Sequence, residues 1–87
     1  MFLGTVVGNV VATQKDERLH GKKLLIVEPF DPRTKETKSP ILAVDTVGAG
    51  NSETVILVRG SSARSSIDKN APIDAAIVGI VDEIEIL

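Results

Sequence analysis

Two short segments carry residue types that could bind a small molecule. Residues 48–50, Gly-Ala-Gly, begin like a glycine-rich phosphate loop, but Glu53 stands where a dinucleotide fingerprint needs its third glycine, and a strand pattern follows where a helix is required. Residues 61–64, Ser-Ser-Ala-Arg, offer hydroxyl groups and a guanidinium. This second segment has two interpretations, which are an anion site or a helix start that is capped by Ser61 or Ser62.

Catalytic chemistry has no matching set of residues. His20 is the only histidine and the chain has no cysteine, so a metal site lacks the several ligands it needs. The serines lack a base that the sequence places beside them. Asp68, Asp74 and Asp82 are spread over a turn and a strand, so no carboxylate pair is indicated. The sequence therefore predicts a protein that is not an enzyme and that has no metal and no cofactor.

The composition indicates a small β protein. The 87 residues form a single domain, residues 1–87, and 43% of them are hydrophobic although Phe2 and Phe30 are the only aromatic residues. The core must then consist mainly of Val, Ile, Leu and Ala, and the β-branched residues among them favour strands. No apolar run approaches the roughly 20 residues of a membrane span, so we expect a soluble cytoplasmic protein without membrane contact.

The pattern of apolar residues and turn residues predicts five strands and one short helix. The helix is expected over residues 61–68, between the fourth and fifth strands, and no helix is expected between the others. This order excludes a parallel sheet with crossover helices and favours a small, partly open, five-stranded antiparallel barrel of OB-like size. The predicted strands are residues 2–13, 23–30, 40–47, 54–59 and 75–87.

An OB-like barrel raises the possibility of a binding module for single-stranded nucleic acid or another polymer. Modules of that kind stack bases on aromatic side chains in a basic groove. This chain has two phenylalanines and a formal net charge of −2, which argues against nucleic acid as a partner. The binding module is the alternative function.

Several longer motifs, in order along the chain, resemble the vertex proteins of bacterial microcompartments, the EutN/CcmL/PduN family. The match includes Gly4-Thr-Val-Val-Gly-Asn-Val-Val-Ala-Thr-Gln-Lys, Leu19-His-Gly-Lys-Lys-Leu-Leu-Ile-Val, Ala43-Val-Asp-Thr-Val-Gly-Ala-Gly, Val58-Arg-Gly-Ser-Ser-Ala-Arg and Asp74-Ala-Ala-Ile-Val-Gly-Ile-Val-Asp. The loop at residues 31–39 and the acidic end of the sequence are the least similar parts. Carboxysomes and ethanolamine, propanediol and glycyl-radical compartments all use proteins of this family.

The resemblance implies a structural role. It implies a five-stranded OB-like barrel that assembles into a cyclic homopentamer, which closes the vertices of a shell built mainly from hexameric and pseudohexameric shell proteins. It also implies a narrow opening on the five-fold axis. Because small residues permit close approach of several chains, we expect Gly48, Ala49 and Gly50, with Ser61 and Ser62, to lie near that axis. We expect Asp45 and Arg64 to form a polar contact between subunits.

Overall fold

The structure, a computed structural model, describes residues 1–13 and 15–87 and contains five strands and two short helices. A single 3₁₀ turn, Glu17–Leu19, lies in the first connection. The elements in chain order are β1 (Phe2–Val10), β2 (Lys23–Phe30), β3 (Ile41–Asp45), β4 (Thr54–Arg59), α1 (Gly60–Ile67) and β5 (Ala75–Val81).

The strands close into a barrel in the order β1-β2-β3-β5-β4, with β4 returning to pair with β1. Four of the five strand pairs are antiparallel. The exception is the short parallel pair of β3 and β5, in which Val44 lies opposite Ala76 and Asp45 opposite Ile77. The predicted five-stranded barrel with one helix between β4 and β5 is confirmed, although it is closed rather than partly open and contains one parallel pair.

The first, third and last strands are shorter than the sequence pattern predicts, and β3 covers Ile41–Asp45 rather than residues 40–47. β1 was expected to reach residue 13 and ends at Val10, where its last partner on β2 is Leu24. β5 was expected to reach residue 87 and ends at Val81, opposite Thr54, the first residue of β4. Each strand stops within one residue of the end of its neighbour, because a strand without a partner has unpaired backbone groups.

The apolar side chains form two layers. One cluster fills the barrel and includes the fully buried Val27, Leu57 and Ile77. The other lies outside the barrel, where Ala63 of α1 packs among Leu24, Val44, Ala71, Ile73 and Ala76. Helix α1 therefore covers one side of the barrel. It follows β4 directly, since β4 ends at Arg59 and α1 begins at Gly60. None of the helices in residues 1–13 and 15–87 is long and apolar enough to cross a membrane.

Candidate functional site

Several charged side chains contact the glycine loop, which we define as residues 48–50. Asp45, at the end of β3, accepts two backbone N–H bonds, from Val47 to Oδ1 at 3.0 Å and from Ala49 to Oδ2 at 2.9 Å. The Lys23 ammonium group donates to the Ala49 carbonyl oxygen at 3.0 Å. The N–H and the carbonyl group of Ala49 are therefore both bonded to charged side chains, Asp45 of β3 and Lys23 of β2.

The far side of the loop is closed by Glu53. Its Oε1 atom accepts the Gly50 N–H at 2.7 Å, while the Glu53 N–H donates to the Gly50 carbonyl at 3.2 Å. Gly48 has a φ of +79° and Ser52 a φ of +72°, in the left-handed region that glycine adopts readily. The turn thus depends on the backbone freedom of Gly48 and on carboxylates at both ends.

The three residues of the loop have different surroundings. Gly48 is exposed and Gly50 half-buried, whereas the methyl group of Ala49 is completely buried in the barrel core. Within one chain, the Ala49 side chain therefore points into the barrel and leaves the backbone of the loop as its accessible part. Placement of this loop near a five-fold axis stays a prediction.

The second predicted segment begins helix α1. Ser61 and Ser62 are exposed in its first turn, and the expected serine cap is wrong. The N-cap is Arg59, which makes no capping bond with its side chain. Gly60 follows with a φ of +62°, and its N–H donates to the Asp74 carbonyl at 3.0 Å. The helix therefore begins with a backbone turn at Gly60 and not with a hydroxyl cap. The bond to the Asp74 carbonyl fixes this turn.

The two residues expected at a subunit contact both have partners in their own chain. Arg64 is half-buried, and its Nη1 atom donates to the Ile73 carbonyl at 3.3 Å. Asp45 supports the glycine loop as described above. An Asp45–Arg64 contact between subunits therefore remains a prediction. In such a contact, both side chains would have to bind across the interface while they keep their bonds within the chain.

Sequence reasoning missed a clamp between two loops. Arg18 donates to both carboxylate oxygens of Asp16, at 2.9 and 2.8 Å, and to the Asn70 carbonyl at 2.7 Å. Hydrogen bonds from the Arg18 side chain and backbone hold the pKa of the Asp16 carboxyl well below its usual range. The same contact raises the pKa of Arg18. This clamp joins the β1–β2 connection to the segment before β5.

Neither the glycine loop nor the start of α1 assembles a catalytic centre in the described residues. His20 is exposed, and no group of three or more His, Cys, Asp or Glu side chains converges in the part of the chain that the structure describes. The backbone groups of Ala49 and Gly50 are bonded within the chain to Lys23, Asp45 and Glu53, so these three residues fix the shape of the loop.

Comparison with known proteins identifies the family. The model of the family described as "Ethanolamine utilisation protein EutN/carboxysome" matches residues 1–82. The chain belongs to the EutN/CcmL family. Its sequence is 52% identical to the bacterial microcompartment shell vertex protein GrpN of Rhodospirillum rubrum over 86 residues, which cover 98% of this chain and 97% of GrpN. It is 41% identical to the shell vertex protein EutN of Escherichia coli K12, with 97% and 90% of the two chains covered.

The fold agrees with the sequence relationship. The solved structure described as the GrpN pentameric microcompartment shell protein from Rhodospirillum rubrum superimposes with a TM-score of 0.90, at 49% identity and with all of both chains covered. Members of the EutN/CcmL family are structural shell vertex proteins, so the predicted structural role in a microcompartment shell is confirmed. The alternative of a polymer-binding module is not favoured.

Proposed function

We propose that five copies of this chain form a closed ring that caps a vertex of a polyhedral microcompartment shell. The observation that carries the proposal is the match over the full chain to a pentameric shell protein, in both sequence and fold. A small barrel gains stability by covering its surface in a ring. Val7, Leu42 and Val47 are apolar side chains that the single chain leaves at least a third exposed.

In this ring the glycine loop and the exposed start of α1 face the five-fold axis. The loop is suited to the position because Gly48 and Gly50 have no side chains, and the only side chain between them is directed into the barrel. The exposed Ser61 and Ser62 add short polar groups. Backbone and hydroxyl groups would then surround the opening.

The outer surface of the ring meets hexameric and pseudohexameric shell proteins. We expect no nucleic acid among the partners, because the net formal charge of −2 and the two phenylalanines provide neither a basic groove nor stacking platforms.

Native mass spectrometry of the purified protein tests the ring. Five chains of 9.2 kDa predict a dominant species of about 46 kDa. A protein that stays monomeric at high concentration would refute the pentamer. Co-expression with a hexameric shell protein then tests the vertex position, since closed shells should contain this chain and shells made without it should lack closed vertices.

Thiol cross-linking tests the position of the glycine loop, because the chain contains no cysteine. A Cβ atom at Gly50 would meet only the Glu53 Oε1 atom, at 3.4 Å, so Gly50→Cys is expected to fold. A short thiol-to-thiol reagent should link this variant between subunits. The control is Thr34→Cys, in an exposed loop that this proposal keeps away from the axis. Equal linking of both variants, or none at residue 50, would place the loop elsewhere.

A further inference from the structure

The segment after β5 is an uncovered strand-like sequence, which we call the acidic arm (residues 82–87, Asp-Glu-Ile-Glu-Ile-Leu). Ile84 and Ile86 are 41% and 50% exposed, and Leu87 is fully exposed. Most large apolar residues of the five barrel strands, by contrast, are buried or half-buried. Pairing of β5 ends at Val81, and among the described residues no backbone hydrogen bond joins residues 83–87 to the rest of the chain.

Acidic and apolar residues alternate along the arm. Glu83 and Glu85 share one face of an extended chain, and Ile84 and Ile86 share the other. This period of two is typical of a strand with one buried face. Ile84 and Ile86 leave about half of this apolar face exposed in the single chain, so the arm has the pattern of an interface element.

The dimensions of the arm suit a neighbouring subunit. Six extended residues span about 20 Å at roughly 3.3–3.6 Å each. The two shorter dimensions of the molecule are 23 and 21 Å, so the arm is about as long as the chain is wide. The formal charge of the whole chain is −2, and without the three carboxylates of the arm the remaining residues carry +1. An acidic arm and a slightly basic barrel are complementary in charge.

The barrel offers a groove of suitable size and character, with a volume of about 570 Å³. It lies between the start of β1 and the end of β2, and we call it the Phe groove. Apolar side chains line it together with Lys38 and Arg59, and the Arg59 guanidinium lies 4.5 Å from the centre of the Phe2 ring. The apolar lining consists of Met1, Phe2, Leu3, Pro29, Phe30 and Pro32.

Two acidic residues also line the Phe groove, Asp31 and Glu36. The Asp31 carboxylate accepts the N–H groups of Arg33 and Thr34, at 2.8 and 3.2 Å, and Lys38 and Arg59 balance the two acidic groups in the formal charge of the lining. A second depression, beside β3, has a volume of about 110 Å³ and no cationic residue in its lining. The Phe groove is therefore the better match to an acidic, apolar arm.

We infer that the acidic arm of each subunit lies in the Phe groove of the next subunit in the ring, with Ile84 and Ile86 on the apolar lining and the glutamates beside Lys38 and Arg59. The inference rests on the proposed pentamer and adds an intersubunit contact to it. Each subunit would give one arm and receive one, so the contact closes around the ring without unpaired ends.

A disulfide experiment tests the contact in the assembled protein. The double variant Ile86→Cys/Thr37→Cys places one thiol on the arm and one in the lining of the Phe groove, in a chain without native cysteine. Mild oxidation should produce covalent oligomers of up to five chains on a denaturing gel without reductant. The single variants are the controls and should give at most dimers. Oxidised double variant that runs only as a monomer would overturn the inference.

The energetic contribution is tested by Ile84→Asp/Ile86→Asp, measured as the chain concentration at which half of the ring dissociates. This concentration should rise at least about tenfold, because two apolar side chains in the interface become charged. Val11→Asp is the matched control, since Val11 is an 85% exposed apolar residue outside both arm and groove. Both sets of substitutions involve exposed positions, so each chain should keep its fold.

The outcomes separate the inference from the proposed function. If the unaltered protein forms no pentamer, the proposed function fails. If the pentamer forms and the arm variant dissociates at the same concentration as Val11→Asp, the arm inference alone is refuted. An arm variant that forms normal pentamers but fails to join shells would also refute it, and would assign the arm to contacts with other shell proteins.

Discussion

Gly4 in β1 is the position at which a single methyl group should do the most damage. A Cβ atom there would lie 2.5 Å from Val27 Cγ1, 3.1 Å from the Glu28 carbonyl oxygen and 3.2 Å from Leu57 Cδ1. Val27 and Leu57 are fully buried in the barrel core, and the Glu28 oxygen belongs to the neighbouring strand. None of the three can retreat into open space, so Gly4→Ala must shift the backbone or distort core side chains.

The expected size follows from two opposing effects. Overpacking of a core typically destabilises a protein by about 1–3 kcal/mol. Replacement of a strand glycine by alanine restores about 0.5–1 kcal/mol, because the unfolded chain loses freedom. We therefore expect Gly4→Ala to lower the free energy of unfolding by about 1–2 kcal/mol, and by more if the barrel cannot adjust.

Gly8 provides the control within the same strand. A Cβ atom there would meet Ile26 Cδ1 at 3.5 Å and Ile26 Cβ at 3.9 Å, which are ordinary contacts. Gly8→Ala should therefore be neutral or stabilising by a few tenths of a kcal/mol up to about 1 kcal/mol.

The assay is thermal and urea unfolding of both variants at one chain concentration, because assembly contributes to the stability of an oligomer. Each kcal/mol corresponds to a change of about 4–8 °C in Tm for a domain of this size. Equal stability of the two variants would refute the argument that close approach of β1 and β2 requires a glycine at position 4.

Three further changes address the loops. Gly48→Ala should destabilise by about 1–2 kcal/mol in urea unfolding, since φ is +79° and no neighbour lies within 4 Å of the new methyl group, so the backbone alone opposes it. Asp45→Ala should remove the acceptor of the Ala49 N–H, and amide exchange at residue 49 should accelerate at least about tenfold, with Asp45→Asn less affected. Because the pKa of Asp31 is lowered in the folded chain, its carboxylate stabilises the turn fully above pH 3.8, the ordinary pKa. This stabilisation is lost as the pH falls through the lower pKa of the folded chain. The Arg33 amide shift should therefore titrate below pH 3.8 in NMR, and Asp31→Asn should abolish that titration.

The sequence predicts the elements of this fold better than their ends. Valine-rich runs and the turn residues between them place all five strands and α1, whose predicted range of 61–68 differs by one residue from Gly60–Ile67. The predicted ends of β1 and β5 are wrong because residues 12–13 and 82–87 have strand-like patterns but no strand opposite them. A strand end depends on its partner, and local composition does not contain that information.

The candidate site divides in the same way. Gly48 and Asp45 are visible in the sequence because glycine and aspartate near a strand end are typical of a turn. The role of Lys23 is not visible in the sequence, because Lys23 and Ala49 are 26 positions apart. Only the pairing of β2 with β3, in which Lys23 lies opposite Asp45, brings Lys23 close to Ala49. In the sequence, Glu53 is recognisable only as the residue that replaces the third glycine of a nucleotide fingerprint. In the structure, it lies three residues after Gly50 and closes the turn by accepting the Gly50 N–H.

In the proposed ring, the glycine loop and the acidic arm contribute to assembly in opposite ways. Lys23, Asp45 and Glu53 fix the loop within one chain, so bringing five loops to the axis requires little additional ordering. Residues 83–87 of the arm have no backbone bonds to the rest of their own chain in the described residues, so docking must order them at the moment of assembly. The loop can therefore determine the geometry of the opening, while the apolar area that the arm covers sets much of the ring's resistance to dissociation.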